Sequence, residues 1–129
     1  MRRSLAAGAL AIAASALFAC APGIAGVWKG SGKVQLDRFF EVTLDLRNEE
    51  APQAFVKLAD GQGFKTRVCA LSEVEGRVSF KVALQSGADC SGPSAYKFVA
   101  ERGRDVIVGK VLDASSNEVG MFRAFRMEQ

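Results

Sequence analysis

Phe40-Glu41-Val42-Thr43-Leu44-Asp45-Leu46-Arg47 places apolar and polar side chains in strict alternation. In an extended chain successive side chains point to opposite faces, so Phe40, Val42, Leu44 and Leu46 share one apolar side. That is the pattern of a strand with one face buried and one in water. Arg77 to Leu84 repeats it, with Val78, Phe80, Val82 and Leu84 opposed by Arg77, Ser79, Lys81 and Ala83. Working outward, short runs of the same kind cover Val27 to Val34, Ala54 to Leu58, Phe64 to Leu71, Tyr96 to Glu101, Val106 to Leu112 and Val119 to Met127. The count is eight strands.

Turn residues fall between the runs. Asp60-Gly61-Gln62-Gly63 reads as a hairpin turn, and Glu75-Gly76-Arg77 closes the next connection. Ser86 to Ser94 is a longer loop carrying Gly87, Gly92, Pro93 and Cys90. No segment has helical spacing suited to a crossover, so neighbouring strands are expected to pair antiparallel. The chain is therefore expected to be all-β: a single, mostly meander, eight-stranded barrel or strongly curled sheet. Closure removes exposed edges, which favours it over a two-sheet sandwich.

The first residues read differently. Arg2 and Arg3 precede an apolar run from Leu5 to Phe18, the layout of a secretory signal. The run is shorter than the ~20 apolar residues of a spanning helix. An uncleaved anchor, with the arginines held inside, would still place the domain outside. Of the 129 residues, 1–19 are expected to be a signal peptide, 20–25 a short tether and 26–129 the barrel domain.

Charge and cysteine usage narrow the classes further. The 17 Lys and Arg fall to 15 without Arg2 and Arg3, against 14 Asp and Glu. So small a net charge offers no footprint for nucleic acid. Of the three cysteines, Cys69 and Cys90 enclose a 20-residue segment and are expected to pair in an oxidising compartment. With no histidine in the chain they lack the partners for a four-ligand zinc site, and no metal or cofactor is expected. The absence of histidine also removes the usual Ser-His and Cys-His pairs. Asp37, Glu41, Asp45, Asp105 and Asp113 lie on polar strand faces or at turns, where solvated charge is the ordinary role. The expectation is a non-enzymatic protein with no catalytic residues.

Cys20 closes the sequence Leu17-Phe18-Ala19-Cys20, which resembles the lipobox of bacterial lipoproteins. Phe18 departs from that pattern, where a smaller residue is usual. The resemblance implies acylation of Cys20, by palmitate or a similar chain, and attachment to membrane lipid. Ala21 rather than Asp after the cysteine resembles outer-membrane sorting, with the domain facing the periplasm in the cell envelope. Cleavage after Ala25 is the competing reading and would give a soluble periplasmic or secreted protein. The tether of five residues from Ala21 to Ala25 would reach under about 20 Å.

Gly26-Val27-Trp28 on the first strand, with arginines on the last, resembles the lipocalin and calycin barrels. The resemblance implies that Trp28 closes one end of the barrel beneath a late arginine. Alternation puts Val119, Met121, Arg123, Phe125 and Met127 on the more apolar face, so Arg123 is the expected inward arginine and Arg126 the second choice. Gly26, Trp28 and Arg123 thus form the expected barrel-end packing. Trp28 and the phenylalanines are expected to be core, while Gly30 and Gly32 either leave space beside Trp28 or allow strand bending. Three functions follow: binding of a small apolar ligand or an envelope partner; inhibition of a periplasmic or secreted hydrolase through the Ser86–Ser94 loop; or a structural envelope role with a packed barrel and no ligand. The second is analogy of size and architecture.

Overall fold

The computed structural model describes residues 23–35 and 38–127. Among them are nine β-strands and no helix. They are β1 (Val27–Val34), β2 (Arg38–Asp45), β3 (Gln53–Leu58), β4 (Gly63–Arg67), β5 (Cys69–Val74), β6 (Arg77–Ala83), β7 (Ala95–Arg102), β8 (Val106–Leu112) and β9 (Glu118–Arg126). All pairings are antiparallel, in the order β4-β3-β2-β1-β9-β8-β7-β6-β5. The first strand lies between β2 and the last strand, so the sheet is a meander curled strongly into a half-barrel.

Nine strands appear where eight are expected because the run from Phe64 to Leu71 breaks at Val68. Its amide makes the last bond of the β3 ladder, to the Pro52 carbonyl at 3.0 Å, and its side chain is buried. The register then shifts between Cys69 and Ser72, and Ala70 adopts φ 55°. A bulge of this kind bends the strand and increases its twist. The first half of the run pairs with β3 and the second with β6, so the two free edges are consecutive in the chain. Cys90 is bonded to Cys69 at this corner, with their Cα atoms 5.9 Å apart.

The turns form as their residues dictate. Glu75 and Gly76, with φ of 52° and 82°, make the two-residue connection between Val74 and Arg77. Two positive φ values in succession match the twist of a tight hairpin. At the Asp60–Gly61 turn, the Gly61 and Leu58 amides donate to the Leu58 and Gln62 carbonyls, both at 2.9 Å.

Phe40, Val42, Leu44 and Leu46 are buried, as are Val78, Phe80, Val82 and Leu84, so the alternation holds in both runs up to Ala83, which is buried as well. The interior is filled. Phe80 stacks on Phe98 with centroids 5.0 Å apart, and Phe98 meets Phe122 edge to face at 4.9 Å and Phe40 at 5.9 Å. These are the preferred geometries of aromatic pairs. No polar or charged residue is buried among the described residues. At Gly32, a Cβ would lie 2.4 Å from the Phe40 ring, and at Gly30, 1.9 Å from the Arg123 carbonyl oxygen. These glycines therefore admit a ring and a neighbouring strand and leave no cavity.

Not every phenylalanine follows the core expectation. Phe39, Phe55 and Phe125 are exposed, because each falls on the outward side of a strand whose other side faces the core.

Phe98 touches three of the other rings' positions, so Phe98→Ala should cost about 3–5 kcal/mol, measured by urea unfolding. Reduction of the Cys69–Cys90 bond should lower stability by about 3 kcal/mol in the same assay, the value for a loop of this size.

Candidate functional site

The curled sheet has two unlike ends. At one, β1 begins and β9 finishes. Trp28 is fully buried there, and its indole N–H donates to the Ile24 carbonyl at 2.8 Å. Above the ring lies Arg126, its guanidinium carbon 4.3 Å from the ring centroid. Nη1 donates to the Ala25 carbonyl at 2.7 Å, Nη2 to that of Gly23 at 2.9 Å, and Nε and Nη2 to that of Arg104 at 3.2 Å. Asp105 stands 3.6 Å from Nε. A fixed planar fork that satisfies several carbonyls while stacking on an aromatic face is what arginine supplies and lysine cannot.

The first choice of arginine is corrected by this geometry. Arg126 is the cross-strand partner of Trp28, whereas Arg123 pairs with Ser31 and Val108 on the outer face and is exposed. The inward side of β9 is Gly120, Phe122, Ala124 and Arg126. Counting apolar residues chose the other side, because where strands approach closely the inner positions take small residues: a Cβ on Gly120 would sit 1.7 Å from the Lys33 carbonyl oxygen. Gly26, at φ 126°, lies beside Arg126, its Cβ position 3.1 Å from Nη1. Residues Gly23, Ile24 and Ala25, read from sequence as tether, are bound to this end through their carbonyls. The ion pair of Arg102 with Glu73, both half-buried, completes the closed end. Nothing in the sequence pattern marks that pair, since its members lie 29 residues apart.

The opposite end is open. A depression of about 450 Å³ has Leu58, Leu84 and Tyr96 within it and Arg38, Gln62 and Asp113 around it. A second, of about 210 Å³, adjoins it over Phe39, Phe40 and Asp60 and shares Arg38, Leu58 and Leu84. The larger is in the size range of small-ligand sites. Ser86, Pro93 and Ser94 place the long β6–β7 loop on its rim. That loop is braced by the disulfide, by the Asp89 carboxylate accepting from the Ser91 hydroxyl at 2.9 Å, and by Arg67 3.3 Å from Asp89. Cys69, Asp89 and Cys90 converge, but the sulfurs are joined to each other.

Asp113 and Asp45 have structural partners. Asp113 accepts from the Asn117 and Ser115 amides, both at 2.9 Å, forming the β8–β9 turn. These bonds, that from Asn117 foremost, hold its carboxyl below the ordinary range. Asp45 is held at about 2 by the Arg47 side chain, which approaches to 2.8 Å. Neither carries a proton to give at neutral pH. Glu41 is exposed, and Asp105 faces solvent beside Arg126. Asp37, Cys20 and the expected signal 1–19 lie outside the described residues. Comparison with protein-family models, curated proteins and solved structures found no match to this chain.

Arg126→Met should destabilise the domain by about 1.5–3 kcal/mol, the range for bonds from a charged donor. Arg123→Met should stay within ~0.5 kcal/mol of the parent; thermal melts of the two variants compare them directly. An NMR titration should find the Asp113 carboxyl below ~3.9, moved back up in Asn117→Pro, which removes the amide donor, and moved less in Asn117→Ala, which keeps it. Because the folded value is the lower one, this turn contributes stability above the ordinary carboxylate range and loses it as pH falls through the folded value.

Proposed function

We propose that this protein is exported, is held to the outer membrane by an acyl chain on Cys20, and acts without catalysis as a binding domain of the cell envelope. Its open end takes a segment of another envelope protein. The observation that carries this reading is the division of labour between the two ends. The chain leads toward Cys20 from the closed end, at Gly23, while the polar-rimmed depression lies at the far end.

A ligand stored within the barrel is disfavoured, because Phe40, Phe80, Phe98 and Phe122 occupy the interior. A small apolar molecule would lie on Leu58, Leu84 and Tyr96 at a shallow, polar-rimmed mouth rather than in an enclosed cavity. A mouth ringed by Arg38, Asp113 and Gln62 better suits a peptide, whose backbone and side chains present paired donors and acceptors. The Trp28–Arg126 stack supports a calycin-like architecture. The non-enzymatic reading rests on the missing histidine and on carboxylates already bonded in turns or to arginine.

Inhibition of an envelope hydrolase is a second reading, favoured by one observation: the Ser86–Ser94 loop borders the mouth and is stapled by the disulfide. A rigid presented loop loses little entropy on binding.

Mass spectrometry of the processed protein should show an acylated N-terminal Cys20. Photo-crosslinkers at Gln85, Ser94 and Ser115 should trap an envelope protein in cells, while the same probe at Lys65 or Glu75 should not. Equal capture at all five sites, or none at the mouth, would overturn the binding half. Capture of a hydrolase whose activity falls in the complex would select the inhibitor reading.

A further inference from the structure

The outer face of β8, β9 and β1 is unusual in composition. Met121, Phe125 and Val108 are exposed by 66%, 52% and 46%, and Met127 beyond the strand by 42%. Phe39, exposed by 58%, adjoins them across Lys33. A depression of about 430 Å³ runs between Phe39, Val108 and Met121. Large apolar side chains grouped in this way mark a contact surface.

The apolar residues are interleaved with cations. Lys29 is opposite Phe125, Lys33 and Lys110 flank Met121, and Arg123 lies between Met121 and Phe125 on the same side. Lys33 sits 5.6 Å over the Phe39 ring. Among the described residues the ion pair on this face is Lys110 with Glu118, 3.4 Å apart at its far margin. Glu41 and Glu101 lie one strand further out on either side.

The stripe begins at the closed end. Phe125 and Met127 flank Arg126, whose guanidinium holds the Gly23 carbonyl. Two residues, Ala21 and Pro22, separate Gly23 from Cys20, and the three steps between them reach about 10–11 Å at full extension.

We propose that this face rests on an anionic membrane surface, with Met121, Phe125 and Phe39 at the headgroup boundary and Lys29, Lys33, Lys110 and Arg123 toward lipid phosphates. The inference rests on the anchored reading for its geometry, and its test does not need the anchor. Long basic side chains keep their charge in water while their stems and the neighbouring aromatics lie along apolar surface. Clustered basic residues beside an anchor are drawn to anionic lipid, and an acyl chain with a basic patch makes a firmer attachment than either alone. A second copy of the chain fits poorly, since a two-fold contact would bring the same cations together. The proposed contact lays the half-barrel on its side, with β9 beneath and the open end directed along the membrane.

The test is hydroxyl-radical footprinting of the purified, processed protein with phosphatidylcholine vesicles, with and without phosphatidylglycerol. Met121, Met127 and Phe125 should be protected severalfold with the anionic vesicles and less so at high salt, while Phe55 and Tyr96 keep their reactivity. Lys29→Gln with Lys33→Gln should weaken vesicle association roughly tenfold, whereas Lys57→Gln with Lys65→Gln, the same charge change elsewhere, should not. Melting curves confirm that each pair folds. Absence of protection, protection equal at Phe55, equal loss from both lysine pairs, or protection that grows with protein concentration without vesicles would each overturn the proposal. The mass of Cys20 reports the anchor separately, so failure of one reading is distinguishable from failure of the other.

Discussion

Phe80 lies flat on Phe98 near the middle of the curled sheet, with Phe122 and Phe40 set edgewise around the pair. A sheet of this girth encloses little more than the volume of its own inward side chains. Four rings therefore use up the central layer, and the rest of the fold adjusts to them. The strands beside the rings give way: Gly32 yields room to Phe40, and Gly30 and Gly120 let β1 and β9 close on each other at a separation that a Cβ would prevent. The tight curl and the full interior are thus one constraint, and both follow from pairing the first strand with the last.

That constraint explains which parts were readable in the sequence. β2 and β6 alternate between apolar and polar residues, so the buried side is the greasy one and the reading is direct. β9 reverses the rule. Its inner residues are Gly120, Phe122, Ala124 and Arg126, and its outer ones include Met121 and Phe125. Apolar content points to the wrong face because crowding favours small residues inside, while a surface contact favours large ones outside. The expected inward Arg123 failed for that reason. Position opposite Trp28 in the register identifies Arg126, but register is not visible before strands are paired.

The corner at Val68 was hidden for a related reason. Phe64 to Leu71 has the composition of one strand, and only its two different partners, β3 and β6, divide it. The disulfide was legible by arithmetic on three cysteines; that it braces the corner to the mouth loop was not. At the open end, Leu58, Tyr96, Arg38 and Asp113 come from four separate strands or turns, so their meeting is a product of topology alone.

The Arg126 clamp has a mechanical corollary. A pull on the chain ahead of Gly23 meets, within three residues, carbonyls gripped by a side chain of the last strand. Behind them β1 is laddered on both sides, to β2 and to β9, so the load runs along its axis and must slide two ladders at once. Traction at the leading end is thereby shared by three strands in shear, the direction in which hydrogen-bonded ribbons resist most.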